Sequence, residues 1–379
     1  MVMVMVAVYS VLLMPQAVAG AKSPEVLINL PAGINTPDGA ALAPDGNIIL
    51  SIPNFNNGAL LKQKVIDKPE PEKMVLIDRH NNLKTWYVFS DADKHRDTGK
   101  IGPMDAAFGP DGNLYLADMQ IFWDGNHKSR LLRINVSNGR AVSMDVVVEG
   151  FIVANGMVWK GDTLFVTETI LDHTPKVEPG MEKPPLISGV YAFTLAELEA
   201  GSVQLIPYNE FHSDPHLLLR LHSSNRVGFG ADGVTVDASG NLYTSIIEDG
   251  VIYKTSFDGQ GKPVDTRLFA KSELMRSADG IVWRQADRKI YVADILLNAV
   301  HTVDSSGNVE TLHKNGDTDG QDGSLDQPAE VIIRDDQLII VNMDMPWNDP
   351  TGLLVNTRID QPYTLSVIPL DENLEEKHE

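Results

Sequence analysis

The chain has 379 residues, with 31 Lys and Arg against 52 Asp and Glu, a formal net charge of −21. This charge excludes nucleic acids and anionic membrane surfaces as partners, because both require clustered basic residues. Cysteine is absent, which excludes disulfides, a thiol nucleophile and Cys-ligated zinc. Cations and small-molecule substrates remain as partners.

The first residues have the pattern of an export signal. The apolar run MVMVMVAVYSVLLM at 1–14 is too short to span a bilayer, and QAVAGA at 16–21 supplies the small residues of a signal-peptidase site. No Lys or Arg precedes the run, which departs from the usual signal. The prediction is a signal peptide at 1–21 and a periplasmic or secreted protein that leaves the membrane once the signal is removed.

One segment recurs six times along the rest of the chain. Each copy is an acidic or amide residue, a short apolar strand, a turn carrying Asp, Gly or Asn, and a second strand of β-branched and aromatic residues. The copies lie at 36–54, 102–118, 153–168, 230–246, 277–294 and 327–342. A third predicted strand follows each copy, and a fourth follows every copy except the last.

The missing strand is supplied at the other end of the chain. PEVLINL at 24–30 precedes the first copy and provides the absent edge if the two termini close a ring. We therefore predict an all-β fold, a six-bladed β-propeller at 22–370 closed by an N-terminal strand that completes the last blade, with an acidic tail at 371–379. Two stacked sandwiches would not explain six equal repeats, and no stretch is long or regular enough to predict a helical domain.

Each copy begins with one potential oxygen ligand. In chain order these are Asp38, Asp105, Asn155, Asp232, Asp279 and Glu330. The first strand of each blade lines the channel of a propeller, so the six side chains are expected to meet at one mouth. Five carboxylates there would repel one another unless a cation sat among them. Oxygen donors suit Ca²⁺ best, with Zn²⁺, Mn²⁺ and Mg²⁺ as alternatives. For Asp38 and Asp279, capping of an Asp-Gly turn is an equal alternative.

This arrangement resembles the family of senescence marker protein, gluconolactonase and luciferin-regenerating enzyme, and the related paraoxonases and diisopropylfluorophosphatases. The resemblance implies a catalytic divalent metal held by one Glu in the first blade and, after one skipped blade, by two Asn and one Asp in consecutive blades. Permuted by one blade, the family's order places Glu330 at the Glu, Asp105 at the first Asn, Asn155 at the second and Asp232 at the Asp. Asp105 departs from the usual Asn, and Pro103 stands where the family commonly has an arginine.

The resemblance implies a calcium-dependent hydrolase, most specifically a lactonase. The ion would polarise the lactone carbonyl and stabilise the oxyanion. Asp232 is the predicted residue for activating water or attacking directly, with Asp279 or Asp105 in its place as alternatives. A phosphotriesterase or arylesterase on the same ion is a second hypothesis, and a ligand-binding propeller without chemistry is a third.

Long loops after the second strands are expected on the same face as the six side chains. The longest are 119–129, 169–188 and 342–362. The apolar residues that we expect to form a wall around the mouth are Phe122, Trp123, Met343, Met345 and Trp347. Asp38 is also expected at the substrate mouth.

Two further motifs lie outside this site. GFGADG at 228–233 matches a dinucleotide-binding pattern, but a hairpin follows it in place of the required helix. NGDTDGQDGSLD at 315–326 spaces its acidic residues like a calcium loop, and it equally resembles the Gly- and Asp-rich connection that enters a propeller blade.

Overall fold

The computed structural model of the protein describes residues 23–173, 181 and 183–371. The predicted signal peptide, most of the acidic tail and part of the 169–188 loop lie outside the described residues. In the described part, no helix is long and apolar enough to cross a membrane.

Six antiparallel sheets follow one another along the chain, which confirms the predicted six-bladed β-propeller. The N-terminal strand is β1 (Glu25–Asn29). Blade 1 contains β2 (Ala40–Leu42), β3 (Ile48–Ile52), the short helix α1 (Asn57–Lys62), β4 (Lys73–Ile77) and β5 (Leu83–Val88). Blade 2 contains β6 (Pro103–Phe108), β7 (Leu114–Asp118), β8 (Ser129–Ser137) and β9 (Arg140–Phe151). Blade 3 contains β10 (Ala154–Lys160), β11 (Thr163–Glu168), β12 (Leu186–Thr194) and β14 (Leu217–Ser223). Between β12 and β14 the chain forms the helix α2 (Leu195–Ala200) and the strand β13 (Val203–Gln204).

The second half of the chain repeats this pattern. Blade 4 contains β15 (Ala231–Val236), β16 (Leu242–Ile246), β17 (Val251–Phe257) and β18 (Pro263–Lys271). Blade 5 contains β19 (Ile281–Arg284), β20 (Lys289–Asp294), β21 (Ala299–Val303) and β22 (Val309–Lys314). Blade 6 contains β23 (Pro328–Arg334), β24 (Gln337–Asn342) and β25 (Thr364–Pro369). The sequence did not predict β13, which adds to the outer edge of blade 2 by pairing in parallel with β9.

Closure of the ring follows the prediction. β1 pairs antiparallel with β25 and becomes the outer strand of blade 6, in the order β1-β25-β24-β23. First strands of neighbouring blades contact one another all the way round, including β2 with β23. The two ends of the described chain are therefore held together in one sheet.

Apolar side chains fill the interfaces between neighbouring blades. Alternate residues of a strand point to opposite faces of its sheet. In β3, Ile48 and Leu50 pack with Ile339 of blade 6, whereas Ile49 packs with Leu114 of blade 2. Because both faces of each blade are covered, the second strands are apolar along most of their length.

Loss of β1 should weaken the whole ring. A protein that begins at residue 31 leaves the edge of β25 unpaired and removes Leu27 and Ile28 from the cluster between blades 6 and 1. We expect it to unfold at a lower temperature and to associate through the free edge, as measured by thermal unfolding and size-exclusion chromatography. A protein beginning at residue 23 is the control, and equal melting and elution of the two would contradict this role of β1.

Candidate functional site

The six predicted oxygen ligands lie where the innermost strands begin, around the central channel. We call this set the acidic ring: Asp38, Asp105, Asn155, Asp232, Asp279 and Glu330. Asp38, Asp232 and Asp279 are buried, and the other three are partly buried. The structure therefore brings the whole predicted set to one end of the channel.

Bulges in the innermost strands accompany the ring. The pairing register between first and second strands shifts at Asp105, Asn155 and Asp232, and just before Glu330. A bulge inserts an unpaired residue and turns its side chain away from the regular pleat. Asp279 lies two residues before its first strand, and its amide donates to the carbonyl of Ala293, in the second strand of the blade, at 3.0 Å. This contact places Asp279 where the innermost pair of strands begins.

Glycines after the ring residues allow neighbouring blades to touch through their backbones. A Cβ on Gly39 would lie 2.2 Å from the Cα of Asp105, and one on Gly156 would lie 2.3 Å from the carbonyl oxygen of Asp232. A Cβ on Gly233 would lie 2.4 Å from the carbonyl oxygen of Asp279. The Asp-Gly and Asn-Gly pairs of the repeat are therefore packing contacts at the channel.

Hydroxyl groups from the second strands secure two of these contacts. Thr167 Oγ1 donates to the carbonyl of Asp232 at 2.6 Å, and Ser245 Oγ donates to the carbonyl of Asp279 at 2.8 Å. Each hydroxyl reaches from one blade to the ring residue of the next. The backbone of the ring is thereby tied from blade 3 to blade 5.

Two ring carboxylates are held by backbone amides. Asp105 accepts from the amides of Ala106 and Met157, both at 2.7 Å, so its two oxygens link blade 2 to blade 3. Glu330 Oε1 accepts from its own neighbour Val331 at 2.7 Å, and a Cβ on Gly280 would meet that same oxygen at 2.3 Å. Both side chains are directed along the wall formed by the first strands.

The remaining polar contacts join three ring residues in consecutive blades. Asn155 Nδ2 donates to Asp232 Oδ2 at 2.8 Å. Asp232 and Asp279 also share a side-chain hydrogen bond, which raises the pKa of Asp279 and lowers that of Asp232. A hydrogen bond between two carboxyl groups requires that the pair hold one proton.

Electrostatic strain in the ring follows from burial and like charge. Burial raises the pKa of Asp105 and of Asp232 to about 7. Burial, followed by neighbouring carboxylates, raises the pKa values of Asp38, Asp279 and Glu330 well above their ordinary range. The ring therefore binds protons at neutral pH in the absence of another positive charge, as predicted from five converging carboxylates.

A cavity of about 270 Å³ opens above part of the ring. Its floor is formed by four ring residues from blades 1, 3, 4 and 5, namely Asp38, Asn155, Asp232 and Asp279. Asp105 and Glu330 are not among the residues that line it. The ring is thus divided into four residues open to a ligand and two held against the channel wall.

The walls of the cavity are mostly apolar, as expected from the loops, and Glu248, Ser277 and Asn348 are their polar members. Phe122, Met343, Met345 and Trp347 line it, together with residues that the sequence did not single out: Met104, Met119, Val227, Phe229, Ile247, Ile295, Leu296 and Pro350. Trp123 does not line the cavity, and its ring packs 6.1 Å from that of Phe55.

The donor set suits a hard cation chemically, since it consists of carboxylate and amide oxygens with unbalanced negative charge. Across the described residues, no three His, Cys, Asp or Glu side chains are already grouped closely enough to hold a metal ion. Amide oxygens, backbone carbonyls and water are the other ligands that calcium accepts. Asn155 is such a ligand, because it uses its nitrogen on Asp232 and keeps its oxygen available.

Sequence reasoning missed a second set of buried polar residues. Asp118, Glu168, Asp294 and Asn342 each end the second strand of a blade. Each accepts hydrogen bonds from backbone amides of the segment that enters the same blade; Glu168, for example, accepts from Ile152 and Val153. The repetition of a polar residue at the end of an apolar strand is a signal that could have revealed this anchoring role.

Glu248 anchors one wall of the cavity in a similar way. Its carboxylate accepts from the amides of Val227 and Gly228, both at 2.8 Å, and from the hydroxyl of Ser223. The segment it holds carries Val227 and Phe229 to the mouth. Glu248 therefore positions wall residues through their backbone.

The stability of the metal-free protein should depend on pH through the ring. The pKa of Asp232 rises from 3.8 to about 7 on folding, so the native state binds more protons than the unfolded chain within this window. The free energy of unfolding should then fall as pH increases through the window, by at most about 1.4 kcal/mol per pH unit for each such proton. Urea unfolding at several pH values with a chelator present measures this slope.

Asp232→Asn removes that titration and should make the slope less steep, while Asp105, whose pKa also rises to about 7, keeps part of it. The exposed Asp322→Asn is the matched control and should keep the slope of the unaltered protein. An identical slope for Asp232→Asn and the unaltered protein would show that Asp232 does not carry the excess proton.

Gly233→Ala should destabilise the protein, because its Cβ meets the backbone of blade 5. Besides the carbonyl of Asp279, the added atom would lie 2.8 Å from the amide nitrogen of Ile281. We expect a loss of roughly 1–3 kcal/mol in chemical unfolding, the usual range for overpacking. Gly259→Ala is the control, since nothing lies within 4 Å of its Cβ. Equal stability of the two variants would contradict tight contact between the blades.

No protein-family model matches this sequence, and no curated protein matches it. Solved structures do resemble the fold. Luciferin-regenerating enzyme has a TM-score of 0.56 at 9% identity, with 93% of this chain and 97% of that chain covered. Regucalcin, a calcium-binding protein from Agrobacterium tumefaciens, has a TM-score of 0.53 at 12% identity, with 93% and 95% covered.

The same fold also carries other enzymes. A gluconolactonase from Xanthomonas campestris has a TM-score of 0.51 at 12% identity, with 91% of this chain and 89% of that chain covered. An aldose sugar dehydrogenase from Streptomyces coelicolor, solved with PQQ bound, has a TM-score of 0.51 at 14% identity, with 91% and 97% covered. The resemblance predicted from sequence is thus confirmed at the level of the fold, which hydrolases and oxidoreductases share.

Proposed function

We propose that this protein is a divalent-cation-dependent hydrolase, and specifically a lactonase. The observation that carries the proposal is the cavity with four oxygen-bearing ring residues on its floor and apolar side chains around its walls. A small lactone requires both features, because its ester group needs electrophilic activation while its ring and substituents are mostly apolar.

The cation ligands that we propose are Asp38, Asn155, Asp232 and Asp279. They lie in blades 1, 3, 4 and 5, which is the order of one ligand, one skipped blade and three consecutive ligands in the resembling family. This assignment needs no permutation of the blades. It puts Asp38 in the place of the family's Glu and Asp232 in the place of its second Asn.

The ligand set predicted from the sequence with the blades permuted remains a prediction, and it differs from the set proposed here at two positions. It uses Asp105 and Glu330 in place of Asp38 and Asp279. The hydrogen bond from Met157 of the next blade to Asp105, and the absence of Asp105 and Glu330 from the cavity lining, favour a positioning role for these two. Asn155 and Asp232 belong to both sets.

Calcium is the cation we favour. Its ligands are carboxylates, amide and carbonyl oxygens and water in flexible geometry, whereas magnesium requires a stricter octahedron. Regucalcin, which has the same fold, is described as a calcium-binding protein. Bound at the ring, calcium would polarise a lactone carbonyl and stabilise the oxyanion that forms there.

Side chains of the ring would carry out the proton transfers of the reaction. Asp279 and Asp232 share a hydrogen bond that holds one proton, so Asp279 is a ring residue already placed to exchange one. In its ionised form, with that proton released to solvent, the Asp279 carboxylate would take a proton from the attacking water and return it to the departing alkoxide. Asp232, held by Asn155, remains charged throughout.

The walls favour an uncharged substrate with an apolar substituent. Phe229, Ile295, Met343 and Trp347 offer apolar contact area, and the carboxylates on the floor repel anions. An anionic sugar-acid substrate or an anionic redox cofactor fits this cavity less well than a neutral lactone. Aryl esters and neutral phosphotriesters share these properties and remain the second candidate class.

Hydrolysis should require the cation and Asp279. We expect turnover of alkyl-substituted γ- and δ-lactones that EDTA abolishes and added Ca²⁺ restores, with gluconolactone a poorer substrate. Asp279→Asn should lower kcat/KM at least about 100-fold, the lower end for loss of a general base. A panel that adds aryl esters and phosphotriesters identifies the preferred class. The lactonase proposal fails if turnover survives both EDTA and Asp279→Asn.

The two ligand sets are distinguished by a matched pair of variants. Asp38→Asn should weaken Ca²⁺ binding at least about 10-fold in calorimetry, whereas Asp105→Asn should leave the affinity nearly unchanged. The reverse result would support the permuted set. A protein that binds Ca²⁺ but hydrolyses nothing in the panel would instead be a ligand-binding propeller.

A further inference from the structure

A second group of carboxylates lies in the loops of blade 6, away from the ring. Three are on the segment 315–326 that enters the blade, and two are on the loop between β24 and β25. We call these residues the blade-6 cluster: Asp317, Asp319, Asp326, Asp344 and Asp360. Hydrogen bonds join the two loops, because Thr357 Oγ1 donates to Asp317 Oδ2 at 2.5 Å and Gln321 Nε2 donates to the carbonyl of Gln361 at 3.1 Å.

Two oxygens of this cluster are buried without a hydrogen-bond partner. Asp326 is only 4% exposed, and its Oδ1 has no donor. Oδ2 of Asp360 is likewise enclosed and has no donor. A carboxylate oxygen removed from water and left without a donor costs free energy, so some positive group is expected at this place.

The other members of the cluster are already satisfied. Asp344 accepts from Asn356 Nδ2 at 2.9 Å and from the amide of Asp360 at 2.7 Å. Asp317 Oδ2 accepts from the hydroxyl of Thr357 at 2.5 Å. The protein thus supplies donors to the surrounding carboxylates and leaves Asp326 and Asp360 open.

Basic side chains do not compensate the charge. Arg358 approaches Asp360 Oδ2 to 3.9 Å, but its side chain is 65% exposed, so this ion pair is weak. Burial, followed by the charges of Asp344 and Asp360, raises the pKa of Asp326 to about 9. A carboxyl with this pKa is protonated at neutral pH, so Asp326 holds a proton there unless a cation replaces it.

We propose that Asp326 and Asp360 form a second divalent-cation site, with calcium as its ligand. The ion would take one open oxygen from each carboxylate and complete its shell with backbone oxygens and water, as calcium sites commonly do. The acidic spacing of 315–326 agrees with this assignment, because that segment contributes Asp326 together with the outer charges Asp317 and Asp319. This site is separate from the ring and does not depend on the hydrolase proposal.

The site would connect to the mouth of the cavity through the backbone. Asp344 stands between Met343 and Met345, both of which line the cavity. Gln327, directly after Asp326, holds Met345 from both sides: its Oε1 accepts from the amide at 2.6 Å and its Nε2 donates to the carbonyl at 3.1 Å. A cation between the two loops would therefore rigidify the wall that contacts the substrate.

Calcium stoichiometry tests the proposal. Metal-free protein is titrated with CaCl₂ by calorimetry, with MgCl₂ as the comparison, and thermal unfolding is followed with and without Ca²⁺. We expect Asp326→Asn to lose one bound ion, or to bind it at least about 10-fold more weakly, and to lose several degrees of the Ca²⁺-induced rise in melting temperature. Asp322→Asn, an exposed residue in the same segment, should behave like the unaltered protein.

Separate variants distinguish ion binding at the acidic ring from ion binding at the blade-6 site. Asp38→Asn should leave the ion lost by Asp326→Asn in place, and the double variant should bind neither. Asp360→Asn gives a second measurement if Asp326→Asn does not fold. The proposal is overturned if Asp326→Asn, or Asp360→Asn in its place, keeps the full stoichiometry and the full thermal response to Ca²⁺. If the unaltered protein binds only the ion that Asp326→Asn removes and none at the ring, the result counts against the hydrolase and leaves the blade-6 site intact.

Discussion

The convergence of five carboxylates on one narrow channel is the constraint on which this structure depends. Like charges in a partly buried site repel strongly, and burial raises the pKa of Asp105 and of Asp232 to about 7, so the ring takes up protons near neutral pH. Hydrogen bonds from amides distribute the remaining charge. A bound metal cation would replace these protons. The clustering of carboxylates, which costs stability in the metal-free protein, is therefore the feature on which the proposed function depends.

Holding these charges together requires rigid blades. Apolar clusters fill the blade interfaces, and the glycines beside the ring let the backbones of neighbouring first strands touch. Polar residues that end four second strands fix the segments entering the blades. Bulges then point the ring residues toward the channel. The site is accordingly built on strands, whereas the walls around it are built on loops that can vary with the substrate.

The sequence predicted the six residues of the acidic ring, but not which four of them line the cavity. The six repeats gave the fold, the closing strand and the positions of all six oxygen ligands, because hydrophobic alternation and turn residues are local signals. Asp105 and Asp38 looked equivalent in that pattern. They differ because the amide of Met157, from another blade, binds Asp105, and no local signal encodes a hydrogen bond between residues 52 positions apart. Trp123 was misplaced for a similar reason, since its contact with Phe55 depends on how two loops meet.

By itself, the sequence determined a six-bladed ring of sheets with an oxygen-bearing side chain at the start of each blade, because strand periodicity and repeat length are local properties of the chain. The tertiary structure alone decided which of these side chains face the cavity, that Asp279 and Asp232 share a hydrogen bond, and that Asp326 and Asp360 have oxygens without donors. These outcomes depend on distances between blades and between loops. Such distances are set by packing across the whole ring, where the environment of one side chain is made by residues far away in sequence.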